Sequence, residues 1–218
     1  MKNKGFNRQL KRYVARIKKW DREIIKKNKF DKEQNTIVKF VIPFFEMLGW
    51  GSLYQEMDFE YTVKKGSKKI GAVDIVLYSP SPKKQTIFVE VKPLQKKIGK
   101  GTQLFKYLKA ANVKFGIYTN GKQLKLVDKR YTREQHGQKK YVPHTLFALD
   151  IKDFYKYRKV LRFLSKEYVK NGRLCDLADS FHGPEFRSFE KIKLMKEKKD
   201  KREALKYKLR LEHAKKYL

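Results

Sequence analysis

The chain has 218 residues, enough for one domain with a sizeable core, and its 55 Lys and Arg against 23 Asp and Glu give a formal net charge of +32. Hydrophobic residues make up 40% and aromatic residues 14%, which excludes a disordered basic tail and predicts a folded protein with an anionic partner, nucleic acid first of all. No apolar run approaches the ~20 residues of a membrane span, and the first residues, MKNKGFNRQLKRY, lack the apolar region of a signal peptide. We therefore expect a soluble, cytoplasmic protein that does not bind membranes.

The positive charge extends beyond the two ends of the chain. Residues 1–30 contain 12 basic and 2 acidic residues, and residues 185–218 contain 13 and 6, so the remaining chain still carries 32 − 10 − 7 = +15. A basic folded core indicates a binding face as well as basic arms. The alternative is a ribosome-associated protein or one that is merely very soluble.

The first 30 residues are predicted to contain a basic amphipathic helix over about residues 5–28. Its apolar positions are spaced alternately four and three residues apart, as on one helical face. They are Phe6, Leu10, Tyr13, Ile17, Trp20 and Ile24. Such a face packs on its own domain or forms a seam with a partner helix or a second copy of the chain.

A second helix is predicted to follow, capped by Asp31 with Gln34 in a capping box and ended by Gly49. Pro43 should kink this helix or mark a break in it.

Residues 58–128 are predicted to alternate between strands and one helix. Strands are expected at 58–64, 69–78, 86–91, 113–118 and 124–127, with a turn at 65–68, a helix at about 102–111 and a hairpin turn at Asn120-Gly121. Residues 130–141 read as a polar loop. This order predicts an α/β fold with a mixed β-sheet flanked by helices.

Two further helical segments complete the expected organisation. Apolar residues recur at helical spacing from Phe154 to Tyr168, and the end of the chain reads as a charged helix. The predicted division is a basic helix at 1–30, a core at 31–150, a helical packing segment at 151–184 and a basic charged helix at 185–218.

Three charged residues interrupt otherwise apolar strands, where an unpaired charge would be costly. Asp74 lies within GAVDIVLY, and Glu90 and Lys92 lie within TIFVEVKPL. Because side chains alternate along a strand, Glu90 and Lys92 share a face, and Asp74 on the neighbouring strand can meet them. Two carboxylates beside each other favour a cation such as Mg²⁺ or Mn²⁺, and a nearby ammonium can assist water and offset charge on a phosphate. The pattern indicates metal-assisted phosphodiester hydrolysis, with a surface salt bridge as the alternative.

The acid-x-Lys triplet alone is not specific in a chain this rich in lysine. It occurs again at Asp150-Ile151-Lys152 and at Glu197-Lys198-Lys199. The last lies on a charged helix. Asp150 or Asp153 reads instead as the N-cap of the helix that starts near Phe154, where a carboxylate complements the helix dipole.

Five ordered segments give the first triplet a more specific context. They are VIPFFEMLGW, AVDIVLY, IFVEVKPL, QLFKYL and GIYTNGKQLKL, within about residues 31–128. Together they resemble the N-terminal nuclease domain of type I restriction enzyme R subunits, a branch of the PD-(D/E)XK nucleases. The resemblance implies a restriction-endonuclease-like core and Mg²⁺-dependent cleavage of DNA. It also implies that Asp74 and Glu90 bind the metal and that Lys92 is the catalytic lysine.

The resemblance implies three further site residues. A glutamate on the first helix of relatives corresponds to Glu33, which would be a third metal ligand. The alternative is that Glu33 is an exposed acid in the first turn of the helix. Glu46 is the rival candidate, but it is expected on another side of the helix. Gln103 and Tyr107 match a Gln and a Tyr four residues apart on one helical face. These two would support catalysis, although Tyr107 is equally consistent with packing against the sheet.

Outside these segments the assignments are weaker. Lys96, Lys97 and Lys100 directly follow the triplet and are expected to contact the phosphate backbone, unless they form a solvated loop. Type I R subunits continue into an ATP-driven motor, but this sequence contains no GxxxxGK[ST] loop, so the resemblance concerns the nuclease module. The four histidines suggest no general base, and Cys175 reads as a small buried hydrophobe.

The sequence therefore predicts a Mg²⁺-dependent deoxyribonuclease, with Mn²⁺ as a substitute metal and RNA as an alternative substrate. The chain can act as a homodimer or with a partner subunit. The rival hypotheses are a non-catalytic nucleic-acid-binding protein on a nuclease-like scaffold and a nuclease subunit that is active only in a complex.

Overall fold

A six-stranded mixed sheet forms the centre of the molecule. The computed structural model describes residues 3–26, 32–51, 56–79, 85–99, 102–129, 132–135, 138–141, 144–195 and 199–218. The strand order is β1-β2-β3-β4-β5-β8, in which β3 and β4 are parallel and the other neighbours are antiparallel. The strands are β1 (Met57–Lys65), β2 (Lys68–Tyr78), β3 (Gln85–Val91), β4 (Phe115–Thr119), β5 (Gln123–Asp128), β6 (Thr132–Gln135), β7 (Gln138–Tyr141) and β8 (His144–Asp150). The predicted mixed α/β fold is confirmed.

Nine α-helices in the described ranges cover the sheet or extend from it. They are α1 (Asn3–Lys26), α2 (Glu33–Thr36), α3 (Ile42–Met47), α4 (Thr102–Ala110), α5 (Arg158–Leu161), α6 (Lys166–Lys170), α7 (Arg173–His182), α8 (Pro184–Met195) and α9 (Lys199–Lys215). A π-helical turn, Ile37–Val41, joins α2 to α3. None of these helices combines the length and the apolar character that crossing a bilayer requires.

The two faces of the sheet carry hydrophobic clusters of different size. Val73, Val76 and Phe88 pack with Leu104 and Leu108 of α4 in the smaller cluster. The opposite face, together with α1, the α2–α3 segment and the C-terminal helices, forms the larger core. Burying apolar surface on both faces explains why the central strands are nearly continuous apolar runs.

The basic helix α1 packs on its own domain, which was one of the two alternatives. Leu10 and Ile17 are fully buried in the larger core, and Tyr13 stacks on Phe154 with ring centroids 6.5 Å apart. Lys122 Nζ also lies 2.9 Å from the Asp21 carboxylate, which ties α1 to the turn between β4 and β5.

The break predicted at Pro43 is present as the π-helical turn that ends two residues before it. Pro43 lies in the first turn of α3 and has no N–H to donate to the preceding turn, which favours the change in hydrogen-bond register there. Gly49 follows with a φ of +88°, as expected for the residue that ends this helix. The N-cap position of α2 is Lys32 without a side-chain hydrogen bond, and Asp31 lies outside the described residues.

The second half of the chain differs from the predictions in several places. The polar segment 130–141 contains the β6–β7 hairpin in its described part, and the unpredicted strand β8 pairs with β5 at the edge of the main sheet. The helix predicted from Phe154 is divided into a turn, α5, a 3₁₀ turn (Arg162–Leu164) and α6, because Ser165 is extended and caps α6. Helix α7 was not predicted as a separate element, although it lies within the segment 151–184 that was expected to be helical. Asp150 caps a short 3₁₀ turn (Ile151–Asp153) rather than a long helix.

Candidate active site at a strand end

The charged residues of the first triplet lie where β2 and β3 separate. The paired register of these strands ends at Ile75 and Val89. Beyond that point the Val91 N–H donates a 2.6 Å hydrogen bond to Asp74 Oδ2, so the carboxylate replaces the next bond of the ladder. Residues of β3 remain paired with β4 up to Val91. The opening between β2 and the end of β3 therefore exposes the Asp74 carboxylate beside Glu90.

A local distortion of the β1–β2 pair accompanies this opening. Ile75 and Leu77 face the larger core, but Val73 belongs to the α4 side, so β2 changes face at Asp74. In β1, Glu60 has a φ of +50° at the point in the register opposite Asp74. A left-handed glutamate is strained backbone, and such strain is concentrated at functional sites. The distortion turns Asp74 towards β3.

Lys92 links the two glutamates of the predicted site. Its Nζ lies 2.8 Å from Glu90 Oε1 and 3.4 Å from Glu33 Oε2, so Glu33 at the start of α2 reaches the strand end. The Glu90 side chain is only 3% exposed, whereas that of Glu33 is 33% exposed. The structure thus brings Glu33, Glu90 and Lys92 together beside Asp74. The rival candidate Glu46 lies elsewhere and lines a cavity of about 300 Å³ beside α1.

The site contains more negative than positive charge. Burial raises the pKa of Asp74 to about 7, assisted by the charges of Glu90 and Glu33 and opposed by the Val91 hydrogen bond and by Lys92. Burial also raises the pKa of Glu90, although Lys92 opposes this, and the carboxylates together raise the pKa of Lys92 against its own burial. The second oxygen of Glu90, Oε2, is buried without a hydrogen-bond partner. Three carboxylates thus lie near one ammonium, which pairs with those of Glu90 and Glu33.

The composition of the site suits a hard divalent cation. Carboxylate oxygens are the ligands that Mg²⁺ prefers, and a cation would satisfy the buried Glu90 Oε2. In the described part of the chain, however, no three His, Cys, Asp or Glu side chains are already arranged so that they could hold a metal ion. The Lys92 ammonium lies against Glu90 Oε1 and Glu33 Oε2, which leaves Glu90 Oε2 and the Asp74 carboxylate as the oxygens at the site that it does not contact.

Gln103 and Tyr107 lie on α4, on the side of the sheet where the smaller cluster packs. Gln103 Nε2 donates a 2.8 Å hydrogen bond to the Tyr107 hydroxyl, as the four-residue spacing predicts. Tyr107 is 5% exposed and packs in the cluster, whereas Gln103 is exposed. The ring crosses Gly71 of β2 so closely that a Cβ there would lie 2.4 Å from the Tyr107 hydroxyl. Tyr107 is therefore a packed residue that orients Gln103.

The loop after Lys92 is held against the β4–β5 turn. Asn120 Nδ2 donates to the Lys96 carbonyl at 2.8 Å, and the Ile98 N–H donates to Gln123 Oε1 at 3.4 Å. The side chains of Lys96 and Lys97 are exposed. They are thus presented on a loop with fixed backbone, while Lys100 lies outside the described residues.

Sequence reasoning missed Glu60, Gly71 and Tyr118. Tyr118 lies opposite Glu90 in the β3–β4 register, with its ring centroid 6.0 Å from Lys92 Nζ. Burial raises its pKa, and Lys92 opposes this. The glycine three residues before Asp74 was the available signal for a close approach, since glycine within a strand indicates that another group comes near. No comparable signal marks Glu60 or Tyr118.

A second cluster of charged side chains lies between the far edge of the sheet and helices α7–α9; we call it the C-terminal polar cluster. Arg210, 1% exposed, donates from Nε to Glu190 at 2.6 Å and from Nη2 to Glu190 at 3.0 Å, and its Nη2 lies 2.6 Å from His144 Nε2. His182 Nε2 lies 3.2 Å from the buried Asp128 carboxylate. The histidines that sequence left unassigned, His144 and His182, therefore pack here, and Cys175 is partly buried against the larger core.

The fold and the site define an α/β protein with a mixed sheet and a carboxylate–lysine cluster at the end of a central strand. Residues 48–143 match the family model for the N terminus of the type I restriction enzyme R protein. The match supports the part of the resemblance that concerns the N-terminal region of type I restriction enzyme R proteins, and it covers residues 48–143 where the matching segments lay within 31–128. It includes the β2, β3 and α4 residues of the site but not Glu33.

One solved structure is similar over part of the chain. It is a fragment of a protein described as an HsdR subunit of a type I restriction enzyme from Vibrio vulnificus YJ016, with 24% sequence identity and a TM-score of 0.38. The similarity covers 51% of this chain and 22% of that one, so this chain spans about a fifth of the other's length. No curated protein matches the sequence.

Proposed function

We propose that the protein is a Mg²⁺-dependent endonuclease that hydrolyses phosphodiester bonds in DNA at the strand-end site. The observation that carries the proposal is the cluster of three carboxylates around one lysine, with Glu90 Oε2 buried and unsatisfied. The match of residues 48–143 to the N terminus of a restriction enzyme R protein supports a nuclease-related role. The formal charge of +32 supports a polyanionic substrate. The same proposal assigns the protein to the PD-(D/E)XK nucleases and includes a partner subunit with which it acts.

In this mechanism Asp74 and Glu90 hold the divalent cation, with Mn²⁺ able to replace Mg²⁺. The bound cation supplies Lewis-acid stabilisation of the charge that develops on the phosphate. Its charge also favours the ionised form of Asp74, whose pKa burial and the neighbouring glutamates raise to about 7. Glu33 joins these two ligands only when its ion pair with Lys92 opens.

Lys92 and Gln103 act on the substrate side of the site. Once Glu90 is engaged elsewhere, the Lys92 ammonium is free to donate a hydrogen bond to a phosphate oxygen or to the attacking water. Gln103 is exposed and oriented by the Tyr107 hydroxyl, so its amide can contact the same phosphate. Tyr107 is then a positioning residue, and Lys96, Lys97 and Lys100 contact neighbouring phosphates.

The test is cleavage of supercoiled plasmid, linear duplex and branched DNA with Mg²⁺, Mn²⁺ or EDTA. We expect metal-dependent cutting by the wild type and its loss in Glu90→Gln and Lys92→Ala, with DNA binding retained. The second triplet provides matched controls, since Asp150→Asn and Lys152→Ala make the same kinds of change outside the site. Asparagine also keeps the capping role of residue 150.

Two outcomes would contradict the proposal. If wild type and variants bind DNA alike and none cuts with either metal, the rival hypothesis of a non-catalytic binding protein replaces it. If the Asp150 and Lys152 controls lose cutting as completely as the site variants, the assignment of the strand-end residues is wrong.

A further inference from the structure

The solvent-facing side of α1 carries an uncompensated row of positive charge. Eight exposed side chains of this helix are Lys or Arg, and among its described exposed residues none is acidic. They are Arg8, Lys11, Arg12, Arg16, Lys18, Lys19, Arg22 and Lys26. Its two acids, Asp21 and Glu23, are only partly exposed, and Asp21 pairs with Lys122 of the neighbouring turn. At 1.5 Å per residue the row from Arg8 to Lys26 is about 27 Å long.

The apolar side of α1 is already occupied, which limits what the basic side can bind. Phe6, Leu10 and Ile17 are 4%, 0% and 0% exposed in the larger core. A helix that binds a bilayer inserts its apolar face into the lipid, and this face is not available. The basic row is therefore suited to a partner that is recognised by charge alone and that repeats negative charge along a line, such as a phosphodiester backbone.

Gly121 fixes α1 next to the strand-end site. A Cβ at this position would lie 3.3 Å from Phe40, 3.5 Å from Leu94 and 3.8 Å from Ile17, so four segments of the chain meet at its backbone. Its φ of +82° also favours glycine. The Tyr13 hydroxyl donates to the Gly121 carbonyl at 3.2 Å.

The segments that meet at Gly121 lead directly to the site. Leu94 lies two residues beyond Lys92, and Phe40 belongs to the helical segment that begins with Glu33. The loop that presents Lys96 and Lys97 is bonded to the same turn through Asn120. The basic row and the catalytic carboxylates thus belong to one packed unit.

We infer that the exposed side of α1 is a binding surface for the backbone of duplex nucleic acid, which it holds beside the strand-end site. The row of about 27 Å corresponds to most of one turn of a B-form duplex, which is about 34 Å. Contacts to phosphate position a duplex without reading its sequence, which agrees with a surface made of Lys and Arg only. This inference rests on the proposed nuclease function for its placement of the substrate.

The experiment compares two variants of the full chain, each lacking four positive charges. The test variant is Arg8→Gln/Lys18→Gln/Lys19→Gln/Lys26→Gln on α1. The control is Lys170→Gln/Arg173→Gln/Lys201→Gln/Lys208→Gln, four exposed residues of α6, α7 and α9. Glutamine is a good helix former, so both should fold, and circular dichroism and thermal unfolding check this. Binding to a 30-base-pair duplex is measured in EDTA over a series of salt concentrations.

We expect the α1 variant to bind the duplex at least about tenfold more weakly than the wild type near 0.15 M salt. The plot of log K against log salt should become shallower, its slope decreasing in magnitude by about 2 to 4, since each phosphate contact contributes ~0.9. The control should change the slope by less than about 1. Equal slopes for wild type and the α1 variant, or equal losses in the two variants, would overturn the inference. The inference would also be overturned if the α1 variant still bound the duplex but no longer bound vesicles of phosphatidylserine and phosphatidylcholine.

Because binding is measured in EDTA, failure of this inference and failure of the proposed function are distinguishable. If the wild type binds through α1 but cuts no DNA with any metal, the assignment of the binding surface stands and the nuclease proposal fails. If the wild type cuts DNA but the α1 variant binds the duplex equally well, the nuclease proposal stands and the assignment of the surface fails.

Discussion

Two clusters of buried charge in the described part of the chain differ in how their charges are compensated. In the C-terminal polar cluster, Arg210 meets Glu190 through two hydrogen bonds and the Asp128 carboxylate meets His182, so that each negative group faces a donor. In the strand-end site, the carboxylates of Glu90 and Glu33 share the ammonium of Lys92, and the Asp74 carboxylate adds a third negative charge beside them. One oxygen of Glu90 has no hydrogen-bond partner. The C-terminal polar cluster also contains a buried atom without a hydrogen-bond partner, Arg210 Nη1, so the two clusters differ in charge and not in hydrogen bonding. In the first cluster each carboxylate has its own partner, whereas the second has an excess of negative charge.

This difference separates a structural cluster from a candidate site by charge balance rather than by burial. Breaking a balanced buried pair leaves an uncompensated charge and destabilises the fold. An unbalanced cluster already carries that cost, and a ligand of opposite charge can relieve it. Removing a carboxylate from the strand-end site should therefore reduce cleavage without loss of stability, and removing Arg210 from the C-terminal polar cluster should do the reverse.

The largest effect on cleavage is expected from Asp74→Asn. Asparagine keeps an oxygen for the Val91 N–H but removes one charge of the acidic cluster, so cleavage should fall on the order of a thousandfold. The free energy of unfolding at pH 8 in EDTA should stay the same or rise by up to about 1 kcal/mol, because repulsion with Glu90 and Glu33 is removed. Urea unfolding and a plasmid assay measure the two quantities. A variant that is clearly less stable would show that Asp74 is structural.

The largest effect on stability is expected from Arg210→Met. This change leaves the largely buried Glu190, whose side chain is 13% exposed, without its main partner. The free energy of unfolding should fall by about 3 kcal/mol. Cleavage per folded molecule should not change. Lys208→Met, an exposed position on the same helix, is the control and should change stability by less than about 0.5 kcal/mol. If Arg210→Met is as stable as the control, the cluster does not have the structural role described.

Lys92→Met removes from the strand-end site the ammonium group that pairs with Glu90 and Glu33. In EDTA the free energy of unfolding should fall by about 2 kcal/mol, because the 3%-exposed Glu90 loses its ammonium partner. Added Mn²⁺ should then stabilise the variant more than the wild type, since no ammonium competes for the carboxylates. Thermal unfolding with and without metal measures both effects. Equal stability of the two proteins in EDTA would mean that the ion pair is not formed in solution.

A smaller effect is expected from acid on the C-terminal polar cluster. Burial, Arg210 and His182 lower the pKa of His144 from 6.5 to about 2. Below pH 6.5 the unfolded chain binds a proton that the folded chain does not, so the free energy of unfolding should decrease as pH falls from 6.5, by about 1 kcal/mol per pH unit. His144→Gln keeps an acceptor for Arg210 and should reduce the loss between pH 6.5 and 5. Urea unfolding of the wild type and of His144→Gln at several pH values measures the effect. Equal losses of stability in the two proteins would contradict the prediction.

The central strands and the meeting of Asp74, Glu90 and Lys92 were predictable from the sequence. An isolated charge is costly within a buried apolar strand, so the charged residues of neighbouring strands are expected to meet. Strict alternation correctly placed Glu90 and Lys92 together, but it did not predict that β2 changes face at Asp74. That change depends on the positive φ of Glu60 in another strand, a tertiary feature that no local pattern encodes.

The second half of the chain shows the limit of periodicity. Phe154, Tyr157, Leu161 and Leu164 are all buried, as their spacing predicts, although the helix that the spacing implied is broken. Spacing reports which side chains face the core, whereas continuity depends on local breaks such as the extended Ser165. β8 was missed because its apolar run is short and does not distinguish a strand from a turn of helix.

The π-helical turn between α2 and α3 sets the angular phase of Glu33. An α-helix advances about 100° per residue, and the wider π turn advances less, so the five residues Ile37–Val41 change the direction in which α2 leaves the packed segment. If all five residues adopted α-helical register instead, Glu33 would rotate by roughly 100° relative to Phe44 and Phe45, whereas deleting one residue as that register is restored would leave its direction nearly unchanged. The π-helical register of this segment, rather than any side chain within it, therefore determines whether the glutamate points at Lys92 or into solvent.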